Sequence, residues 1–77
     1  MNVRVVLHSY LREKLPPQAK GRAVIELAEG ANARELFQRL ELPEHVAWAV
    51  NGVIQRDRGL VLQEGDEVRV FRQGAGG

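Results

Sequence analysis

The residues of this 77-residue chain with the clearest chemical potential are its last ones, Arg72-Gln73-Gly74-Ala75-Gly76-Gly77. A segment whose final two positions carry no Cβ can take backbone angles closed to other residues and can thread a narrow channel. It would offer the carboxylate of Gly77 to the active site of another protein. A terminal glycine pair arises by chance in roughly one chain in two hundred. On composition alone, an ordinary frayed chain end therefore remains the competing reading.

Other reactive side chains are few. Cysteine is absent, which excludes disulfides, thiolate metal sites and a cysteine nucleophile. If the protein handles sulfur, it does not do so on a side-chain thiol. Threonine is also missing, and Ser9, the one serine, adjoins His8; neighbours on a strand point to opposite faces, against a serine-histidine dyad. His8 and His45 lie far apart in sequence with no cysteine or acidic cluster nearby, so no metal site is expected and both read as surface or edge residues. Asp57 and Asp66 fall in turn segments, where short carboxylates accept bonds from nearby amides. Arg56, Arg58, Arg69 and Arg72 could form a basic patch near the tail. Such a patch is either solvated surface or a device for steering toward an acidic partner.

The elements that must position this tail follow from periodicity. Residues 2–8 alternate, with Val3, Val5 and Leu7 on one face and Arg4, Val6 and His8 on the other, which predicts a strand with one buried side. Pro16-Pro17 and Gly21 make 11–21 a connecting loop after a short turn, and 23–28 alternates again, so the first two strands can form a hairpin. Asn32 is a good N-cap, and Ala33, Leu36, Phe37 and Leu40 follow at helical spacing, with Pro43 closing the segment. A strand over 46–50 runs into Asn51-Gly52, the favoured pair for a two-residue hairpin turn, and a short strand over 53–55 returns. After a polar loop, an apolar return at 60–62 and a turn at 64–66, the last strand begins at Glu67 and ends at Phe71 or Arg72. The order β, β, α, β, short β, β predicts an α+β fold, one mixed sheet against one main helix, in the layout of the ubiquitin-like β-grasp. Residues 1–72 would form the domain and 73–77 a flexible extended tail.

Two aromatic residues leave alternatives open. If Val68 and Val70 face the helix, Phe71 lies on the opposite face with Arg69 and Glu67, either as an exposed interface residue or folded over the sheet edge as a satellite of the core. Trp48 shares a face with Val46 and Val50, while Ala47 and Ala49 make the other face apolar too. Core packing suits Trp48, and apolar residues on both faces hint at a partner covering the outer one.

Composition bounds the class. Hydrophobic residues make up 44% and charged residues 27%, with a net charge of +1, as in an ordinary soluble single domain. Nothing points to nucleic acid. No apolar run reaches the roughly 18 residues of a membrane span, and Arg4 and His8 interrupt any signal-peptide core, which places the expectation in the cytoplasm.

The succession Val3-Arg4-Val5-Val6-Leu7, Leu11-Arg12-Glu13, Glu29-Gly30-Ala31, Glu35-Leu36, Val50-Asn51-Gly52, Glu64-Gly65-Asp66-Glu67-Val68 and Ala75-Gly76-Gly77 resembles the MoaD/ThiS sulfur carriers over nearly the whole chain. Within that group, the long N-terminal hairpin and the ending from Phe71 to Gly77 are more similar to the small subunit of molybdopterin synthase than to the shorter thiamin carrier. One departure stands out: the family's ending usually has two prolines after the phenylalanine, where this chain has Arg72 and Gln73. Proline fixes φ, so this tail should be more flexible and more basic than usual.

The resemblance implies a carrier and not an enzyme. An ATP-dependent, E1-like activating enzyme (MoeB/ThiF-like) would adenylate Gly77, and a sulfur donor would convert the adenylate to a thiocarboxylate. The sulfur would then pass to an acceptor, for molybdopterin the large subunit of molybdopterin synthase. Gly77 would hold the cargo, Gly74, Ala75 and Gly76 would fit the partner's channel, and Phe71 with Arg69 and Arg72 would dock the base of the tail. No metal or cofactor is implied for this chain, ATP being the partner's. Thiamin or tRNA thiolation, a ubiquitin-like protein modifier and a simple binding module are the alternatives.

Overall fold

The computed structural model describes residues 1–73. Five strands, β1 (Asn2–Leu7), β2 (Arg22–Glu26), β3 (Val46–Val50), β4 (Val53–Gln55) and β5 (Glu67–Arg72), form one sheet in the order β2-β1-β5-β3-β4. β1 and β5 run parallel at its centre and the other pairs are antiparallel. The helix α1 (Ala33–Arg39) packs on one face, which gives the mixed-sheet β-grasp expected from the alternation and the single helical stripe.

The buried side of β1 is the expected one, with Val3, Val5 and Leu7 at most 2% exposed. They meet Val68 and Val70 of β5 and Leu36 and Phe37 of α1 in one continuous core. Trp48 belongs to it, its ring edge-on to Phe37 at 5.1 Å between centroids, an arrangement aromatic pairs favour. Asn32 caps the helix as predicted, its side-chain oxygen accepting the Glu35 N–H at 3.0 Å. Asn51 and Gly52 both have positive φ, as the tight hairpin requires. The Asn51 side chain also accepts from the Glu67 N–H and donates to Asp66, tying that turn to the start of β5.

Three local features differ from expectation. The segment after β1 contains 3-10 helices over Ser9–Lys14 and Pro17–Ala19, and Leu11 within the first is fully buried in the core. Gly21 closes this connection at φ 78°, where a Cβ would lie 2.6 Å from the Leu7 carbonyl oxygen. Helix α1 ends ahead of Pro43, because Glu41 turns left-handed at φ 54°. The Leu42 N–H then donates to the Phe37 carbonyl and the Glu41 N–H to that of Gln38, the bonding pattern of a Schellman stop.

Candidate functional site

The parallel pairing of β1 with β5 decides what surrounds the base of the tail. Val6 pairs with Arg69, Arg69 with Ala49 and Ala49 with Ile54, while Val6 also pairs with Arg22. Paired residues share a face, so one row crosses all five strands on the side away from the helix. Phe71 and Ala47 lie in the next row toward the tail. Val6 and Ala49 are buried there although they are not on the helix side, while Ile54 and Val24 at the flanks are exposed. The outer face thus sets buried Val6 and Ala49 on either side of Arg69, which stands on the central strand, so apolar residues and guanidinium groups alternate across it.

Phe71 lies on this outer face, half-buried, and outside the main core. Its ring stacks on the imidazole of His8 with centroids 4.7 Å apart and planes 10° from parallel. The His8 backbone N–H donates to the Val70 carbonyl at 3.1 Å, which holds β1 beside β5 at this point. His8 is therefore part of the platform from which the tail leaves, and its reading as an ordinary surface or edge residue is corrected. Its Nε2 is buried without a hydrogen-bond partner among the described residues. Burial lowers the His8 pKa from its usual 6.5, and the nearby charges of Arg69, Arg22 and Arg12 lower it further. Both causes disfavour the protonated imidazole.

Arg69 is held on the same face by an ion pair, its Nε 2.9 Å from Glu67 Oε1. That hydrogen bond is the main reason the Glu67 pKa lies below its ordinary value; burial opposes it, and the charges of Arg69, Arg4 and Arg22 each add a lesser lowering. Arg72, which pairs with Val46, alternates to the opposite face. The expected docking set is therefore split: Phe71 and Arg69 lie on the outer face, and exposed Arg72 lies on the other. The expected basic patch is split as well. The Arg58 guanidinium lies over the Phe37 ring, 5.2 Å from its centroid, and donates to the Glu44 carbonyl, remote in character from the Arg69 row. Asp57 and Asp66 accept from the Gly59 and Gln63 amides, as expected of turn carboxylates.

Gly74, Ala75, Gly76 and Gly77, the proposed channel and cargo positions, lie outside the described residues. Among the described residues, no group of three His, Cys, Asp or Glu side chains could hold a metal ion. No helix there is long and apolar enough to cross a membrane. Sequence reasoning missed His8. The signal was the parallel register of the first and last strands: once Leu7 lies beside Val70, the next residue of each strand follows on the outer face.

The profile of the ThiS family matches residues 7–77. No curated protein sequence matches the chain. Among solved structures, a putative molybdopterin converting factor subunit 1 from Pyrococcus furiosus is similar at 26% identity and a TM-score of 0.78, over 95% of this chain and 98% of that one. The complex of subunits 1 and 2 of the molybdopterin-converting factor from Helicobacter pylori includes a chain that matches at 21% identity and a TM-score of 0.69 over the full length of both. The thiamine biosynthesis protein ThiS from Geobacter metallireducens also matches over the full length of both chains, at 21% identity and a TM-score of 0.63. At 21% identity these last two likenesses concern the fold.

Proposed function

We propose, from the premise that the chain belongs to the ThiS family, whose profile spans residues 7–77, that it carries sulfur on Gly77 as a thiocarboxylate. The observation that carries this reading is that the family match runs through the Gly76-Gly77 pair itself. In the proposed sequence the Gly77 carboxylate attacks the α-phosphate of ATP on an activating enzyme, pyrophosphate leaves, and a sulfur nucleophile displaces AMP from the acyl-adenylate. The chain supplies the acyl group and the surface for docking; the catalytic groups belong to its partners. Phe71 stacked on His8, beside Arg69, makes that surface, because a rigid half-buried aromatic gives contact area at little entropic cost.

The destination we favour is molybdopterin, with this chain as the small subunit beside a larger catalytic one. Support comes from the long N-terminal hairpin, the ending from Phe71 to Gly77, and the 26% identity with the Pyrococcus furiosus protein. Thiamin is the second destination, the one named for the Geobacter metallireducens protein whose fold this chain shares. The test of the carrier chemistry is intact-mass and fragment-mass spectrometry after incubation with ATP, sulfide and the activating enzymes of the same cell. The expected result is the mass of one oxygen-to-sulfur exchange, located on Gly77. Absence of that exchange with every such enzyme would leave a binding module.

A further inference from the structure

A cleft of about 330 Å³ opens where β5 ends, with Ala47, Ile54, Arg56, Arg58 and Gln73 among its walls. Among the described residues, its lining contains two guanidinium groups and no carboxylate. Three other surface clefts each include at least one glutamate: Glu41 and Glu44, Glu13, and Glu67. The cleft beside Gln73 is thus the one of the four whose lining is purely cationic where charged. Among the described residues, neither Arg56 nor Arg58 has a carboxylate within ion-pair distance. Arg58 is already held by the Phe37 ring and the Glu44 carbonyl, so its guanidinium need lose little freedom when an anion arrives.

The anion nearest by covalent connection is the chain's own. Four residues follow Gln73, and an extended segment of that length spans about 13–14 Å, more than the width of a cleft of this volume. Gln73 itself lines the cleft, so the end of the tail can reach any of its walls. Tethering gives it an effective concentration in roughly the millimolar range. Ala47 and Ile54 supply an apolar wall suited to a segment whose residues 74 to 77 carry one methyl group in all.

We propose that this cleft is a holding site for the protein's own tail, in which the Gly77 carboxylate pairs with Arg56 and Arg58 and the glycine-rich backbone lies along Ala47 and Ile54. The inference rests on the carrier reading for its purpose: a thiocarboxylate has the same charge and would be sheltered in the same place between partners. An activating enzyme would then draw the tail out of the cleft before adenylating it.

Nuclear Overhauser contacts test this in the isolated full chain. The holding site requires contacts from the Gly76 and Gly77 α-protons to the Ile54 and Ala47 methyl groups. These contacts should be lost in Arg56→Gln and in 1 M salt, where the Debye length falls to about 3 Å. Arg56 is exposed, so this substitution spares the core that Arg58 helps to cover. Absence of the contacts in the native chain, or their persistence in Arg56→Gln, would overturn the proposal. So would contacts found solely between labelled and unlabelled copies in a mixed sample, since the occupant would then be a second molecule. No activating enzyme enters the experiment, so a free tail leaves the carrier reading intact, while a held tail without sulfur exchange would count against the carrier reading alone.

Discussion

His8 and Phe71 are the residues through which the chain's two ends meet at the site, and their stack makes a measurable prediction. Because burial is the larger cause of the depressed His8 pKa, Phe71→Ala should let the imidazole titrate closer to 6.5. Arg69→Gln should move it less, since that charge is a lesser cause than burial. Proton NMR of the imidazole across pH 4–8 checks both; a larger shift from Arg69→Gln would reverse the assigned order. The linkage has a definite sign. The unfolded chain has the ordinary histidine affinity and takes up its proton first as pH falls, so the His8 contribution to stability is whole above about 6.5 and declines as pH drops through the lower folded value. Phe71→Ala should also weaken docking to the activating enzyme more than it lowers the melting temperature, because the ring lies outside the main core.

Element ends carry the clearest departure from local preference, and α1 supplies it. Glu41 holds a left-handed conformation that costs a side-chain-bearing residue roughly 1–2 kcal/mol. Glycine avoids that cost but loses more backbone entropy on folding, roughly 0.5–1 kcal/mol. Glu41→Gly should therefore stabilise the protein by about 0.5–1 kcal/mol, raising its thermal midpoint by about 3–6 °C for a domain of this size. A circular-dichroism melt checks it, and a fall would mean that the Glu41 side chain contributes more than its backbone costs. The same position shows where sequence reasoning stops. The helical stripe of Ala33, Leu36, Phe37 and Leu40, the Asn32 cap and the Asn51-Gly52 turn are local signals and were legible. The sequence points to Pro43 as the helix stop because glutamate is a poor marker of a left-handed one. Leu11 went unplaced in the core because one leucine in a polar 3-10 segment has no periodicity, and its burial is set by the distant elements it packs against. The His8–Phe71 platform depends on strand pairing between opposite ends of the chain, which no local pattern shows, whereas the turning away of Arg72 follows from the alternation of β5 itself.

At the scale of the whole molecule, the sheet order places the first and last strands side by side at the centre, with β2 and β3 outside them. The position from which the tail leaves is thereby fixed by the best-buried part of the fold: Val5 and Val68 pair across that seam, and neither is more than 1% exposed. A fold of this kind can separate stability from chemistry. The sheet and helix carry the stability, and in the proposed reading the chemistry falls to a few backbone atoms beyond β5, with acceptor choice left to a pocket in another protein. The separation itself can be tested by deleting Gly77. A terminal glycine has no side chain to bury, so the circular-dichroism spectrum and melting temperature should stay nearly unchanged. Adenylation should nevertheless be abolished, because the carboxyl would be withdrawn by one residue from the reach the activating site requires, and a misplacement of about 1 Å can already cost roughly a hundredfold in rate. Gly76→Ala should slow the reaction without stopping it, since it adds a Cβ inside the channel but leaves the carboxyl at its proper reach. Pyrophosphate release with the cognate activating enzyme measures both variants. Normal release from the deletion variant would show that the Gly76-Gly77 pair is dispensable, and the carrier reading would fail with it.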